Sequence, residues 1–505
     1  MVLRWERKEL LYLWILRFMR NINNIARRIK KGSVNMAMLF EEMVKKNNSF
    51  LLNKLSTNLH ITQTKSLQNE ILAIFNNLKE DPSWSFENLS RKETSYATHG
   101  YHRYAAKFIP QLARRCIEDY STKDEIVCDP FMGCGTTLVE ALISGRKAVG
   151  VDINPVAWLI TKAKTVPIEP EKLKKEVNKI LSDISAFIEF RRNKIKPLTE
   201  IDIEPVIPDN ERIGYWFPHS HIREELGIIL GRINKIREED IRNFCLCAFS
   251  QILKNCSVWL MKSVKPTRDL KKKPADPFQV FKKHINYMMK GNEELFRLMP
   301  DHIKQNLNEY LIAERGDARD LPCKSNSVSL IVTSPPYVTS YEYADLHQLT
   351  ALWLGYAKNV AEFREGFIGS IYKRTSFHDG IKSEIAKKEI EELEKKSKRE
   401  SEAVRDYFFE MQQCFEEMHR VLKPEGKACI VIGNTELKKV KILNAEVFVE
   451  IMLNLGFRIH KVIKRRIPSK ILPSTRDSKT GRFTSNHKAD RLAYAYEYIL
   501  VMEKL

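Results

Sequence analysis

Asp129-Pro130-Phe131-Met132-Gly133-Cys134-Gly135-Thr136-Thr137 is the stretch that decides the fold. It lies between two short apolar runs, Glu125 to Asp129 and Lys147 to Asp152, both of strand length and rich in β-formers. Thr136 to Ser144 reads as a helix that closes at Gly145. A strand, a glycine-bearing loop, a helix and a second strand form the unit of a parallel, doubly wound sheet. Gly133 and Gly135 let the backbone approach a ligand closely, and the helix start that follows favours an anionic group. Asp152 ends the second strand, where a carboxylate can accept both hydroxyls of a ribose. The string lacks the third glycine of the dinucleotide fingerprint, and no GK[ST] follows it. Nicotinamide chemistry and a P-loop are therefore disfavoured.

Working outward, strand-like runs resume at Leu330 to Ser334, at Lys427 to Ile432 and at Ala493 to Glu503. Residues 166–310 interrupt that rhythm and read as mostly helical, with two turn-rich stretches. The expected organisation is an α/β catalytic domain over 91–165 and 311–505, split by a helical, basic insertion at 166–310. A helical extension over 1–90 precedes it. Residues 376–405, dense in Glu and Lys, read as one charged helix, either a solvated face or a cover over the site. Thr333-Ser334-Pro335-Pro336-Tyr337 follows an apolar strand. Two prolines at a strand's carboxyl end fix a rigid, extended turn. Ser334 and the proline carbonyls form an acceptor cluster suited to an exocyclic amine, and Tyr337 offers a flat face for an extruded base.

The 505 residues carry 84 Lys+Arg against 64 Asp+Glu, a net charge of +20 that points to a polyanionic partner. Apolar residues at 43% argue against a disordered chain. Nine scattered cysteines without a CxxC pair disfavour a disulfide framework or a zinc ribbon and fit a reducing cytoplasm. His99, His102, His219 and His221 lack a third ligand at convincing spacing, so no metal is expected. The apolar run Leu10 to Leu16 is far shorter than the roughly 20 residues of a membrane span, so no membrane association is expected.

With these motifs in place, the sequence resembles the S-adenosylmethionine-dependent amino-methyltransferases of DNA. DPFMGCGTT looks like their cofactor motif I and TSPPY like their catalytic motif IV, in the serine form most often found in cytosine-N4 enzymes. The segment from His102 to Leu112 is similar to motif X, with Tyr104 in place of the usual proline. Asp152 fits motif II, and Gly316-Asp317-Ala318 fits motif III. The segments Pro468 to Phe483 and Tyr496 to Leu500 resemble the C-terminal end of such enzymes. The order X, I, II, insertion, III, IV matches the α group if 166–310 recognises the target. The resemblance implies a Rossmann-like class I methyltransferase sheet and S-adenosyl-L-methionine as cofactor. It implies cofactor contacts from Lys107, Phe108, Asp129, Pro130, Phe131, Gly133, Gly135, Thr136, Asp152 and Asp317. Ser334, Pro335, Pro336 and Tyr337 become the catalytic residues.

The implied reaction is direct transfer of a methyl group to the cytosine N4 amine of a flipped base in duplex DNA. A site-specific role follows, either in restriction-modification, with a cognate endonuclease as companion, or in stand-alone protection of DNA. The alternatives are adenine N6, a guanine-N2 enzyme of tRNA, and a silent nucleic-acid-binding subunit, which intact motifs I and IV disfavour. Cytosine-C5 chemistry needs a Pro-Cys-Gln setting, and Pro322-Cys323 is followed by Lys324. Two basic stretches, 251–290 and 461–491, each hold 10 Lys/Arg against 2 Asp/Glu. They supply the expected phosphate contacts, with Lys271, Lys272, Lys273, Arg476, Lys479 and Arg482 as candidates.

Overall fold

The computed structural model describes residues 64–104, 107–193, 204–263, 265–338, 342–370, 380–467, 475–476, 483–484, 491–492 and 496–505. The expected helices over 1–63, including the Leu10 to Leu16 run, lie outside them.

Seven strands form the central sheet: β1 Ile126–Asp129, β2 Lys147–Asp152, β3 Leu311–Arg315, β4 Val328–Thr333, β5 Leu422–Ile432, β6 Phe457–Arg466 and β7 Tyr496–Lys504. Their order is β3-β2-β1-β4-β5-β7-β6. The first five run parallel, and β7 is antiparallel to both neighbours. Val127 stands opposite Ala148 on one side and Leu330 on the other. All of β4 is buried. Helices cover both faces of such a strand, which is why it reads as an unbroken apolar run. β3 and β6 were not expected. Both lie at sheet edges, where exposed positions carry charge and dilute the strand pattern.

The helices that place the site are α1 Thr64–Asn77, α2 Pro110–Tyr120, α3 Thr136–Ile143 and α4 Pro155–Thr165. α4 starts where its N-cap Asn154 accepts from the Val156 N–H at 3.0 Å. The insertion supplies α5 Pro170–Asn193, α6 Ser220–Asn234, α7 Glu239–Cys256 and α8 Pro277–Leu298. It is mainly helical, as expected, and its apolar faces do not close on themselves. Phe244, Phe249 and Ile285 share one buried cluster with Val156 and Ile160 of α4 and with Trp353 of α9 Tyr343–Trp353.

Residues 376–379 of the expected charged helix lie outside the described residues; over the rest there are two helices, α10 Glu384–Glu394 and α11 Lys398–Val421, with a break at Lys395 to Ser397. Neither is simply solvated. α10 buries Ile385, Ile390 and Leu393, and α11 buries Val404, Tyr407 and Phe408. The dense charge masked an apolar stripe at helical spacing. α12 Asn444–Asn454 is buried nearly throughout. No described helix is long and apolar enough to cross a membrane.

A buried ionic knot ties α3 to the segment before α2. Glu140, fully buried, accepts from His99 Nε2 at 2.7 Å, from Arg114 Nε at 2.8 Å and from the Tyr96 hydroxyl. Burial alone raises the Glu140 pKa, yet the bonds from His99 and Arg114 hold it below the usual carboxylate range. Burial lowers His99 to about 4, so the imidazole is neutral at pH 7. Glu140→Ala leaves the buried His99 imidazole unmatched and takes the carboxylate from the half-buried Arg114 and Tyr96. It is expected to cost about 3–5 kcal/mol in urea unfolding; an unchanged midpoint contradicts the knot's role.

Candidate active site

β1 pairs with β2 on one side and with β4 on the other, so chain connections depart in opposite directions from its carboxyl end. Open α/β sheets bind ligands in the crevice this creates. A cavity of about 880 Å³, mouth included, lies there.

The glycine loop forms its floor. Gly133 (φ +48°) and Gly135 (φ +70°) both adopt left-handed backbone. The Gly133 N–H donates to Asp152 Oδ2 at 2.9 Å, and the Asn154 N–H donates to Asp152 Oδ1 at 2.9 Å. Asp129 Oδ1 accepts from the Phe131 N–H at 3.1 Å and from the Thr333 hydroxyl at 2.6 Å. Burial raises both carboxyls, Asp129 and Asp152, to about 6. From behind, Thr161 Oγ1 donates to the Gly133 carbonyl at 3.0 Å and Lys164 Nζ to the Cys134 carbonyl. Lys164 is buried, which lowers it to about 8.

Of the expected cofactor residues, Lys107, Phe108, Asp129, Pro130, Phe131, Gly133, Thr136, Asp152 and Asp317 line the cavity. Gly135 does not; it sits behind the wall as the N-cap of α3. Lys107 Nζ donates to the His99 carbonyl at 2.7 Å, and Asp317 pairs with Arg319. Ser334 and Pro336 line the same cavity, while Pro335 is buried beneath it. The Tyr407 hydroxyl donates to the Pro336 carbonyl at 2.9 Å. Tyr337 is not part of the wall. Its hydroxyl lies 3.5 Å from Glu497 Oε2, and a Cβ at Gly433 would stand 3.3 Å from its ring.

Other wall residues were not foreseen as contacts. Tyr104 packs over Gly133, where a Cβ would stand 3.1 Å from its ring, and stacks on Tyr343 at 6.3 Å. Asn154 reaches His347 Nδ1 at 2.7 Å. Tyr343, Phe367 and Ile368 come from a segment without a motif, so only folding brings them in. Tyr104 and Asn154 were adjacent to the motifs and could have been found by asking what else a strand end exposes. Cys323 is absent from the wall and faces Cys128 of β1.

Among the expected phosphate contacts, Lys271 and Lys273 are exposed. Lys272 departs from the expectation. Its ammonium donates to the carbonyls of Lys254 at 2.6 Å and Trp259 at 2.9 Å, and burial lowers it to about 8. It anchors the loop from within. Arg476 lies in a short strand, Thr475–Arg476, paired with Phe483–Thr484 and Arg491–Leu492. Lys479 and Arg482 lie outside the described residues. Among the described residues no group of three His, Cys, Asp or Glu side chains could hold a metal.

The residues present fit an adenosine bearing a short charged tail. A carboxylate stands at the end of β2, glycines remove the Cβ atoms that would fill the floor, and Phe108, Phe131, Ile153 and Phe367 give apolar walls.

The DNA methylase family model matches residues 6–162 and 328–505. The Type II methyltransferase M.MvaI of Kocuria varians is 28% identical over 430 residues, spanning 80% of this chain and 90% of its own. M.BsoBI of Geobacillus stearothermophilus, also a Type II methyltransferase, is 22% identical over 439 residues, 74% of this chain and 83% of its own. Among solved structures, TTHA0409 of Thermus thermophilus in complex with S-adenosyl-L-methionine aligns over 37% of this chain and 53% of its own. Its TM-score is 0.18 and its identity 18%.

At Gly135 a Cβ would lie 2.8 Å from Thr161 Oγ1 on left-handed backbone. Gly135→Ala is expected to lower stability by about 1–3 kcal/mol, read as a lower urea midpoint; wild-type stability contradicts the strained turn.

Proposed function

The chain belongs to the DNA methylase family, and from that premise we propose that it transfers a methyl group from S-adenosyl-L-methionine to the N4 amine of cytosine in DNA. The observation that carries the reading is a single cavity whose wall holds both the glycine loop and the Ser334–Pro336 turn. S-adenosyl-L-methionine supplies an electrophilic methyl group on a sulfonium. The loop from Asp129 to Thr136 cradles the cofactor, and Asp152 accepts from its ribose hydroxyls. Asp317, held by Arg319, is the residue this reading assigns to the adenine amine.

The amine lone pair of cytosine is delocalised into the ring, which makes the nitrogen a poor nucleophile. Ser334 Oγ, on the cavity wall, accepts one N–H bond and pushes the nitrogen towards a tetrahedral geometry; the Pro335 carbonyl, buried beneath the wall, is the second acceptor only if the turn shifts to present it. The lone pair can then form the new N–C bond, and the proton released passes to solvent. Tyr337 lies outside the cavity wall with its ring against Gly433, so in this reading it would have to leave that packing to stack on a flipped base. Tyr407 is a positioning residue, since its bond to Pro336 fixes the turn that presents these acceptors. Positioning supplies most of the rate. With Cys323 outside the wall, a covalent enzyme–base adduct has no nucleophile from that position. Ser334 is what favours cytosine over adenine. The restriction-modification setting follows the Type II relatives, and duplex DNA is the partner.

Two measurements test this reading. With labelled cofactor and duplex DNA, Ser334→Ala should lower turnover about 10- to 100-fold, the worth of one hydrogen bond to a group gaining charge. Wild-type turnover in that variant contradicts the role of Ser334. Asp152 must be ionised to accept two hydroxyls, and its pKa is raised to about 6. Cofactor affinity by calorimetry is therefore expected to be flat above about pH 7 and to weaken as pH falls through 6. Asp152→Asn should remove that step; a pH-independent affinity in the wild type contradicts the assignment.

A further inference from the structure

A cationic, aromatic surface stands on the insertion, away from the cavity wall. Between residues 254 and 273 the chain carries seven Lys/Arg and one carboxylate, Asp269. The loop that bears them is rigidly built. The Val258 N–H donates to the Trp216 carbonyl at 2.9 Å, and the Leu260 N–H to the Thr267 carbonyl at 2.8 Å. Lys254 Nζ closes on the Ser263 carbonyl at 2.8 Å, and Lys272 pins the loop's base from inside. The indole of Trp216 stacks on that of Trp259 at 5.1 Å beneath it.

On this platform Tyr215 is 43% exposed. The Arg268 guanidinium lies 4.3 Å from its ring centroid and that of Arg212 5.8 Å. Stacking orients a guanidinium plane while leaving its N–H edge open, the form suited to a phosphate. Arg212, Lys262, Lys265, Arg268, Lys271 and Lys273 are all exposed, and none is within ion-pair distance of a described carboxylate. Like charges gathered on one loop and unpaired with described carboxylates repel one another, so the arrangement favours a polyanion that neutralises them.

The surface is also tied to the reaction site. Trp216 Nε1 donates to Gln348 Oε1 at 3.0 Å. Gln348 lies on α9, about 7.5 Å along the helix axis from Tyr343 in the cavity wall. A strand held on this loop is thus fixed relative to the site through one rigid helix.

We propose that the Arg212–Tyr215–Arg268 cluster, with the exposed lysines of its loop, is a docking surface for the phosphate backbone of duplex DNA. It rests on the DNA methyltransferase reading above. The test measures duplex binding against salt concentration by fluorescence anisotropy, in the presence of S-adenosylmethionine, for the full chain. Arg212→Ala/Arg268→Ala should make the plot of log affinity against log salt shallower by about 2, one counterion release lost per phosphate contact. Lys387→Ala/Lys396→Ala, which removes equal charge from α10 and the turn after it, should leave the slope unchanged. Wild-type cofactor affinity in each variant shows that the fold is kept. If the double variant fails that check, Arg268→Gln alone should lower the slope by about 1. A wild-type slope in the arginine variants overturns this surface and leaves the function standing. A wild-type chain that binds no duplex, or binds RNA in its place, overturns the DNA reading itself.

Discussion

Two buried carboxylates hold the site together. Asp152, at the end of β2, takes the Gly133 N–H of the loop after β1. Asp129, at the end of β1, takes the hydroxyl of Thr333, the last residue of β4. Three strand ends are thereby stapled, and the staples join the glycine loop to the Ser334–Pro336 turn. Among the described residues neither carboxylate has a cationic hydrogen-bond partner; backbone N–H groups and a hydroxyl donate to them. Their raised pKa values follow from that: neutral donors only partly offset the cost of burying a charge. Both carboxylates line the cavity.

The centre of this architecture was legible in the sequence and its margins were not. β1, β2 and β4 are covered on both faces, so their residues form short apolar runs that only a central parallel strand explains. β3 and β6 lie at the edges, where alternating charge makes a strand look like a helix end. The Glu- and Lys-rich stretch concealed the break at Lys395 to Ser397 because its apolar stripe is narrow. Site residues next to a motif could be read from it. Tyr343, Phe367 and Ile368 could not, since nothing local marks a residue that tertiary packing carries to a cavity. Lys272 shows the converse: a lysine in the densest basic run uses its charge on two backbone carbonyls.

The insertion is part of the same body as the catalytic sheet. α7 buries its apolar face against α4, whose Thr161 and Lys164 brace the glycine loop from behind, and α8 packs on α7. The same helices lead to the loop carrying Arg268. Packing of one helix layer therefore both steadies the cofactor floor and fixes the basic surface relative to it. In a base-flipping enzyme the target must travel from a held duplex into a fixed cavity, and a rigid link between the two sets that path.

The most direct measurement is the identity of the methylated nucleoside. Duplex DNA of mixed sequence is incubated with the protein and S-adenosylmethionine, digested to nucleosides and analysed by mass spectrometry. The account predicts N4-methylcytosine. N6-methyladenine would contradict Ser334 as the feature that selects the base, and no methylated nucleoside at all would contradict the transfer reaction.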